Sequence, residues 1–318
     1  MGNQLALRVF YIIGVVVLLI VLLMGGHYGN FLLSTILVYT LVGMSLRILI
    51  GFGGQISIGH AGFWAIGAYT SGLLVVKLGM PFVVGVFFGG IVAAVFGAFV
   101  ALPALRVQGH YLAIATLAFA LFVQQGLFEW ESLTGGRHGL YVPRPEIAGI
   151  LLKTDLVYNY FLLPLVILFG WITENFRKSH TGHALMALKM SSIAAQTAGI
   201  NRTHHLFVAF MVSAFYTGVS GALYAHLIGY LSTETFTLGV SLSFLTMAVI
   251  GGLDSSLGPI LGAVFLTLAP EVFRGLKSAQ LVVYGVTLVL CMRFLPGGLA
   301  SLANIIGSGL GTQKRQKT

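Results

Sequence analysis

The chain has 318 residues, of which 57% are hydrophobic and only 8% are charged, whereas soluble domains carry roughly 25% charged residues. So few charges cannot coat the water-facing surface of a fold of this size, which excludes a soluble globular protein and indicates a polytopic membrane protein. The net charge of +9 does not indicate a nucleic-acid partner, because the basic residues are scattered between apolar runs, as loop charges of a membrane protein are.

The apolar runs predict the membrane-spanning elements, since a helix needs about 20 such residues to cross the hydrocarbon layer and somewhat fewer inside a bundle. In chain order they cover residues 5–24, 31–50, 63–78, 82–102, 111–128, 160–172, 206–230, 238–250, 257–269 and 281–294. Four of the ten have only 13 or 14 residues and could be re-entrant. The first run is a retained span, because no A-x-A cleavage site follows it. We therefore predict an all-α, polytopic transmembrane helix bundle of about 8–10 spans with no soluble domain.

The distribution of charges predicts the orientation of these spans. With a cytoplasmic N-terminus and ten crossings, eleven of the 17 Lys and Arg residues lie inside and six lie outside, as the positive-inside rule prefers. Only two acidic residues, Glu174 and Asp254, fall inside, so the whole net charge of +9 is cytoplasmic. Both termini are then cytoplasmic, and residues 311–318 form a basic cytoplasmic tail.

Two predicted loops are longer than a turn. The outer one, residues 129–159, has Gly- and Pro-rich turn chemistry and no room for a folded domain. The inner one, residues 173–205, carries four Lys or Arg and four His. Within it, Ser191 or Ser192 can cap a short helix that stops at Gly199. A helix of two turns does not persist alone in water, so it docks on its own bundle or on another subunit.

Residues 51–62, the first break, contain five Gly interleaved with polar side chains. Irregular backbone at membrane depth survives only where protein or a water-filled cavity satisfies it, so this segment either lines a pore or is a tight glycine-rich turn. A second Gly-rich segment, residues 251–259, is similar and suggests a duplicated architecture; we name it the second break. The fifth apolar run adds an internal hydroxyl among closely packed small residues. The candidate residues for a translocation pathway are Gln55, Ser57, His60 and Thr116.

The sequence argues against ion coupling, ATP hydrolysis by this chain and enzymatic catalysis. Every charged side chain can reach a membrane surface by snorkelling, whereas ion-coupled transporters and pumps keep charges at the midplane. There is no G-x-x-x-x-G-K-[ST] phosphate loop, so uphill transport needs energy from a partner. The acids are too dispersed for a carboxylate pair, and the His pairs of the inner loop lack a further ligand for a metal. We therefore predict that the chain is not an enzyme and has no catalytic residue, metal or cofactor of its own.

Several motifs follow one another along the chain. They are GFGGQISIGHAGFWAIGAYTSG at residues 51–72, LPALRVQGHYLAIATL at 102–117, TGG at 134–136 with Gly139, S-x-x-G-x-A at 179–184 continuing through 194–200, residues 209–225, residues 251–262 and P-x-G-L at 296–299. Over roughly residues 30–300 they resemble the LivM-type permease subunits of bacterial branched-chain amino acid ABC transporters.

The resemblance implies a function and a set of partners. The chain would be a single permease domain, residues 1–318, of an importer that passes branched-chain or related amino acids into the cytoplasm across the bacterial inner membrane. A homologous second permease, two ATP-binding subunits and a periplasmic solute-binding protein would complete it. Residues 129–159 would then be periplasmic, and ATP would be bound by the partner subunits. The lipid bilayer is a further partner, and nucleic acid is not one.

The resemblance also assigns the inner loop, residues 173–205, to cytoplasmic coupling with an ATPase subunit. The small side chains of its short helix would sit in a cleft of the ATPase, and the final glycine would let the chain turn back. Family members often carry Glu where Gln196 stands and Arg where His183 and Lys189 stand, so this chain departs from the family in the charges of that loop. The candidate coupling residues are Ala194, Ala195, Ala198 and Gly199.

Two alternatives stay open. The same kind of machine could import urea, short amides or other small organic solutes, because specificity would reside largely in the binding protein. A passive solute channel would use the two breaks as its pore without ATP, but that function leaves the coupling-like loop unexplained.

Overall fold

The structure is a computed structural model, in which residues 26–104, 109–147, 150–152, 154–272, 285, 289 and 298–300 are described. Within those ranges the chain is helical apart from four two-residue strands and the connections, which confirms the predicted all-α fold. The predicted run 5–24, nearly all of 281–294 and the tail 311–318 lie outside the described residues.

The described residues form eleven α-helices, and a π-helix, Arg47–Phe52, continues the first of them. Their bounds are α1 His27–Leu46, α2 His60–Leu78, α3 Phe82–Ala104, α4 His110–Glu129, α5 Glu131–Thr134, α6 Asp155–Lys178, α7 His180–Met190, α8 Ser192–Thr197, α9 Arg202–Ile228, α10 Leu238–Gly251 and α11 Gly258–Val272. Six of these, α1 with its π-helical extension, α2, α3, α4, α6 and α9, are long and apolar enough to cross a membrane. Each of the six matches one predicted run.

Helix α6 corrects the prediction for the run 160–172. That run is short enough to be re-entrant, whereas the helix has 24 residues. Thr154 caps its N-terminus by accepting a hydrogen bond from the Val157 amide, and its last turn carries Arg177 and Lys178. Because polar residues extend the helix at both ends, a count of apolar residues underestimates its length.

Helices α10 and α11 are the two short apolar helices of the bundle, with 14 and 15 residues against the roughly 17–25 of a full span. They pack against each other as a hairpin, and α11 also packs on α1. The contact with α1 is close, since a Cβ on Gly43 would lie 2.9 Å from Pro259 Cα. The turn of this hairpin is the centre of the second break.

The connection between α4 and α6 is compact but has little regular structure. It contains α5, a 3₁₀ turn at Gly136–His138 and the strands β1, β2 and β3. Strand β1, Leu140–Tyr141, pairs antiparallel with β4, Tyr230–Leu231, which follows α9. Strands β2, Glu146–Ile147, and β3, Ile150–Leu151, pair with each other. The pairing of β1 with β4 ties the connection to the end of α9.

Helix α9 is the centre of the bundle and packs against α1, α2 and α3. Glycines let the backbones touch: a Cβ on Gly67 of α2 would clash with Gly218 O of α9, and one on Gly221 would clash with Trp64 O. A Cβ on Gly89 of α3 would lie 2.8 Å from Gly67 O. Apolar side chains gain little by leaving lipid for another helix, so such close packing of small residues holds membrane helices together.

Gly67→Ala should lower the thermal stability of the purified protein in detergent, because the added methyl group has no space against Gly218 O; overpacking of this kind costs about 1–3 kcal/mol. Gly126→Ala is the matched control, since a Cβ on Gly126 of α4 would have nothing within 4 Å. There the helix propensity of Ala should leave stability equal or raised by up to about 1 kcal/mol. Thermal melting of both variants decides, and a Gly67→Ala protein that melts at or above the wild-type temperature would contradict the packing.

Candidate translocation and coupling site

The first break joins the π-helix to α2 through seven non-helical residues, 53–59. Ile58 N donates to Thr116 Oγ1 at 3.0 Å. Ala61 N, in the first turn of α2, donates to Ser241 Oγ at 3.1 Å. The amides at the start of the break bond back to carbonyls of the π-helix. Protein groups thus satisfy part of this irregular backbone, and whether the segment lines a pore stays open.

The break reaches into the bundle. A Cβ on Gly59 would lie 2.7 Å from Thr116 O, so the break touches the backbone of α4. Thr116 follows the first residue of α4, His110, by six residues, which corresponds to about 9 Å along the helix axis at 1.5 Å per residue. The irregular segment thus packs beside the body of a spanning helix.

The four predicted pathway residues lie close together, but one of them alone is open. Gln55 is partly exposed and donates from Nε2 to Gly53 O at 2.9 Å. Ser57, His60 and Thr116 are at most 1% exposed. In this conformation Gln55 is the one of the four that reaches an open surface, and the pathway assignment of all four stays a prediction.

His60 begins α2 and anchors the break to α9. Its Nε2 is hydrogen-bonded to Ser213 Oγ at 3.1 Å, and Ser213 Oγ lies 3.0 Å from Ser45 Oγ. Ser45 Oγ in turn lies 2.6 Å from Thr217 Oγ1, and all these side chains are buried. Buried polar groups need partners, and this chain of hydroxyls provides one for His60 Nε2 and links α1, α2 and α9.

The second break lies directly against the first. A Cβ on Gly51 would be 2.7 Å from Leu253 O. Gly298 packs on the second break as well, since a Cβ there would be 2.5 Å from Gly252 Cα. The two glycine-rich segments that look alike in the sequence therefore meet at one end of the bundle, and the duplicated architecture stays a prediction.

A charged cluster lies beside the two breaks. Arg47 Nη1 lies 2.7 Å from Glu174 Oε1, and Arg177 Nε lies 2.9 Å from Glu174 Oε2. Ser256 Oγ of the second break donates to Glu174 Oε1 at 2.6 Å. The side chain of Arg47 is 4% exposed. Arg47 is therefore buried in the bundle and paired with a carboxylate, and the expectation that every charged side chain can reach a membrane surface stays a prediction.

The inner loop forms two helices, α7 and α8, which we name the coupling segment. Ser179 Oγ accepts from Gly182 N at 3.2 Å at the start of α7, and Ser191 Oγ accepts from Ala194 N at 3.3 Å at the start of α8. The chain turns away after α8 at Gly199, with φ +87°. The predicted short helix, its serine cap and its glycine stop are confirmed.

Helix α7 is missing from the sequence prediction, because its His and Lys residues indicated a basic loop. Its buried face is formed by Leu185 and Leu188. A Cβ on Gly53 would lie 3.7 Å from Leu185 Cδ2, and one on Gly54 would lie 3.0 Å from Lys189 Cγ. The coupling segment is thus packed on the first break.

The candidate coupling residues do not all face outward. Ala194, Ala198 and Gly199 are exposed, but Ala195 is only 5% exposed. Ala195 is buried because α8 packs on α7 and α9, and its assignment to coupling stays a prediction. The sequence did not single out Ile193, whose side chain is 78% exposed. Helical periodicity alone cannot tell which face of so short a helix is buried.

At the opposite end of the bundle, the TGG motif at residues 134–136 forms a tight turn, which we name the knuckle. Thr134 Oγ1 donates to Leu127 O at 2.6 Å and accepts from Gly136 N at 3.1 Å. The knuckle holds the Arg137 guanidinium 5.1 Å from the centre of the Phe128 ring. An open pocket of about 290 Å³ here is lined by Phe128, Arg137, Ser232, Thr233 and Glu234.

In the described part of the chain, no group of three or more His, Cys, Asp or Glu could hold a metal.

Six helices fit to cross a membrane, internal breaks with satisfied backbone and a helical loop docked on those breaks define an all-α membrane permease. The family model described as branched-chain amino acid transport system, permease component, matches residues 28–292. The chain belongs to this family.

Individual relatives agree with the family match. The chain is 31% identical over 287 residues to the high-affinity branched-chain amino acid transport system permease protein LivM of Salmonella typhimurium, covering 83% of this chain and 68% of the relative. It is 24% identical to LivH of Escherichia coli, covering 82% and 90%. It is also 24% identical to the nucleoside ABC transporter permease protein NupC of Lactococcus lactis, covering 76% and 86%. No solved structure matches the chain.

Glu174→Met should destabilise the protein by about 3 kcal/mol or more, because it leaves the buried Arg47 guanidinium without its carboxylate. The double variant Arg47→Met/Glu174→Met should recover most of that loss, since two apolar side chains then fill the site. Arg144→Met is the control, because it breaks the 2.6 Å ion pair between Arg144 and Asp155. The Arg144 side chain is 41% exposed, so the loss of stability should be at most about 1 kcal/mol. Thermal melting in detergent checks all three, and a double variant no more stable than Glu174→Met would refute the buried pair.

Proposed function

We propose that this chain is one of the two permease subunits of an ABC importer for branched-chain or related amino acids. The observation that carries the proposal is the family match, which runs from the first described helix through both breaks and the coupling segment. Two of the relatives are, by name, permease proteins of a high-affinity branched-chain amino acid transport system. The chain then provides the path for the solute, and its lack of a phosphate loop leaves ATP hydrolysis to partners.

The proposed complex contains a homologous second permease, two ATP-binding subunits and a periplasmic solute-binding protein. Its cytoplasmic side is the end of the bundle with the breaks and the coupling segment, because the basic residues of the inner loop lie there, as the positive-inside rule prefers. The knuckle and the open pocket then face the periplasm. With this orientation and ten spans, both termini are cytoplasmic.

The docking surface for the ATPase is the outward face of the coupling segment. Met190 and Ile193 are 89% and 78% exposed, which is unusual for apolar side chains in a loop rich in charge. Ala198 leaves a shallow surface beside them. Gln196 donates to Ser192 O at 2.9 Å within α8, so its amide is engaged with its own helix. Shape and apolar contact, rather than charge, support docking here.

Ile193→Asp should reduce co-purification of the ATP-binding subunits with the tagged chain about tenfold, because it places a charge in the centre of an apolar contact. The same variant should abolish ATP-dependent uptake of labelled leucine by the complete complex in proteoliposomes, which the wild type should perform. Tyr141→Asp is the control, an equally polar change at a 76% exposed aromatic residue on the opposite end, and should leave ATPase association unchanged.

The coupling assignment is wrong if both Ile193→Asp and Ala198→Trp keep the ATPase subunits and full uptake. Leucine flux that does not need ATP would instead support a passive channel. Competition with isoleucine, urea and a nucleoside identifies the solute class, and a nucleoside is included because one relative is named as a nucleoside permease.

Gln55→Ala should lower leucine uptake about fivefold or more while the complex still assembles, since Gln55 is the open polar side chain of the first break. Gln125→Ala, at a polar residue of α4 that is bonded to Glu129 near the other end of that helix, is the matched control. Uptake at equal amounts of purified complex is the measurement. Unchanged uptake by the Gln55 variant would remove this residue from the pathway.

A further inference from the structure

Lys189 lies between the coupling segment and the two breaks. It is the penultimate residue of α7, and Ser191, directly after that helix, is already the N-cap of α8. The two helices therefore share a junction with no flexible linker. A displacement of α8 carries the Lys189 backbone with it.

The side chain of Lys189 bonds to both breaks at once. Its Nζ donates to Gly51 O at 2.8 Å and to Asp254 Oδ1 at 3.0 Å. Gly51 lies in the last turn of the π-helix, where carbonyls lack a partner within the helix, and Asp254 lies in the turn of the second break. The stem of Lys189 also covers the first break, since a Cβ on Gly54 would lie 3.0 Å from Lys189 Cγ.

These bonds add little to the stability of the fold. The side chains of Asp254 and Lys189 are 88% and 38% exposed, and exposed ion pairs are weak because water and salt screen them. The fixed packing of α7 on the first break comes from Leu185, which is fully buried. The polar link can therefore be removed while the packing of α7 stays.

We propose that Lys189 is the positioning residue that transmits movement of the coupling segment to the two breaks. The inference rests on the proposed function, because it needs an ATPase subunit seated on α8. A partner can shift a conformational equilibrium only through contacts that differ between the two states. One ammonium group bonded to two separate segments supplies such a difference, since both bonds persist only while Gly51 O and Asp254 stay within reach of the same Nζ.

The test is Lys189→Met in the complete complex in proteoliposomes, with leucine uptake and ATP hydrolysis measured on the same sample. The ATPase subunits should remain bound, while leucine imported per ATP hydrolysed falls about fivefold or more. Lys189→Arg should restore the ratio, because a guanidinium can donate to both acceptors. Lys77→Met removes an exposed lysine at the opposite end of the bundle, where its Nζ donates to Ser132 O at 2.9 Å, and should leave the ratio unchanged.

A ratio within about twofold of the wild type for an assembled Lys189→Met complex would overturn the proposal. If the Lys189→Met complex does not assemble, Asp254→Asn tests the proposal instead, because this change leaves the coupling segment intact. Asp254→Asn should lower the ratio of leucine imported to ATP hydrolysed by about twofold or more. An unchanged ratio overturns the proposal. Failure of the proposed function is seen separately. It would appear as a wild-type complex without ATP-dependent uptake, or as Ile193→Asp and Ala198→Trp complexes that both keep their ATPase subunits and full uptake.

Discussion

Direct contact between helix backbones is the constraint on which the rest of this structure depends. In lipid, apolar side chains give little drive for helices to associate, so the bundle needs positions where a side chain is absent. Gly67, Gly218 and Gly221 supply them where α2 crosses α9. At that separation the short hydroxyl of Ser213 can reach His60 at the start of α2. The polar anchoring of the first break is thus a consequence of small-residue packing deeper in the bundle.

The second constraint is that irregular backbone inside the bundle must find hydrogen-bond partners on neighbouring helices. Ile58 N uses Thr116 of α4, and Ala61 N uses Ser241 of α10. The preceding π-helix, a rare geometry that often occurs at functional sites, supplies carbonyls for the rest. The backbone amides of the break are therefore bonded to three different elements, α4, α10 and the π-helix.

Hydropathy predicted the six long helices and the breaks, because the membrane imposes one length and one demand on the backbone. Cap chemistry predicted α8, since Ser191 and Gly199 are local signals. What the sequence could not provide was the packing of polar residues across long chain separations. Arg47 and Glu174 were each assigned to the inner side by counting charges, but a count does not pair them. Helix α7 was missed because its His and Lys residues indicate a basic loop, and the packing of Leu185 on Gly53 is again a contact across a long chain separation.

The middle of the bundle and the end with the breaks differ in their contacts, which bears on how the proposed importer could open and close. In the middle, backbones in contact cannot slide without clashes, because packed interiors resist continuous deformation. At the end with the breaks, backbone contacts occur beside exposed polar contacts such as the Lys189–Asp254 ion pair, which can exchange for water. A partner that pushes on α8 would therefore act first on a part of the chain with exchangeable polar contacts. The glycine crossings of α9 would then serve as the fixed point about which that end opens and closes.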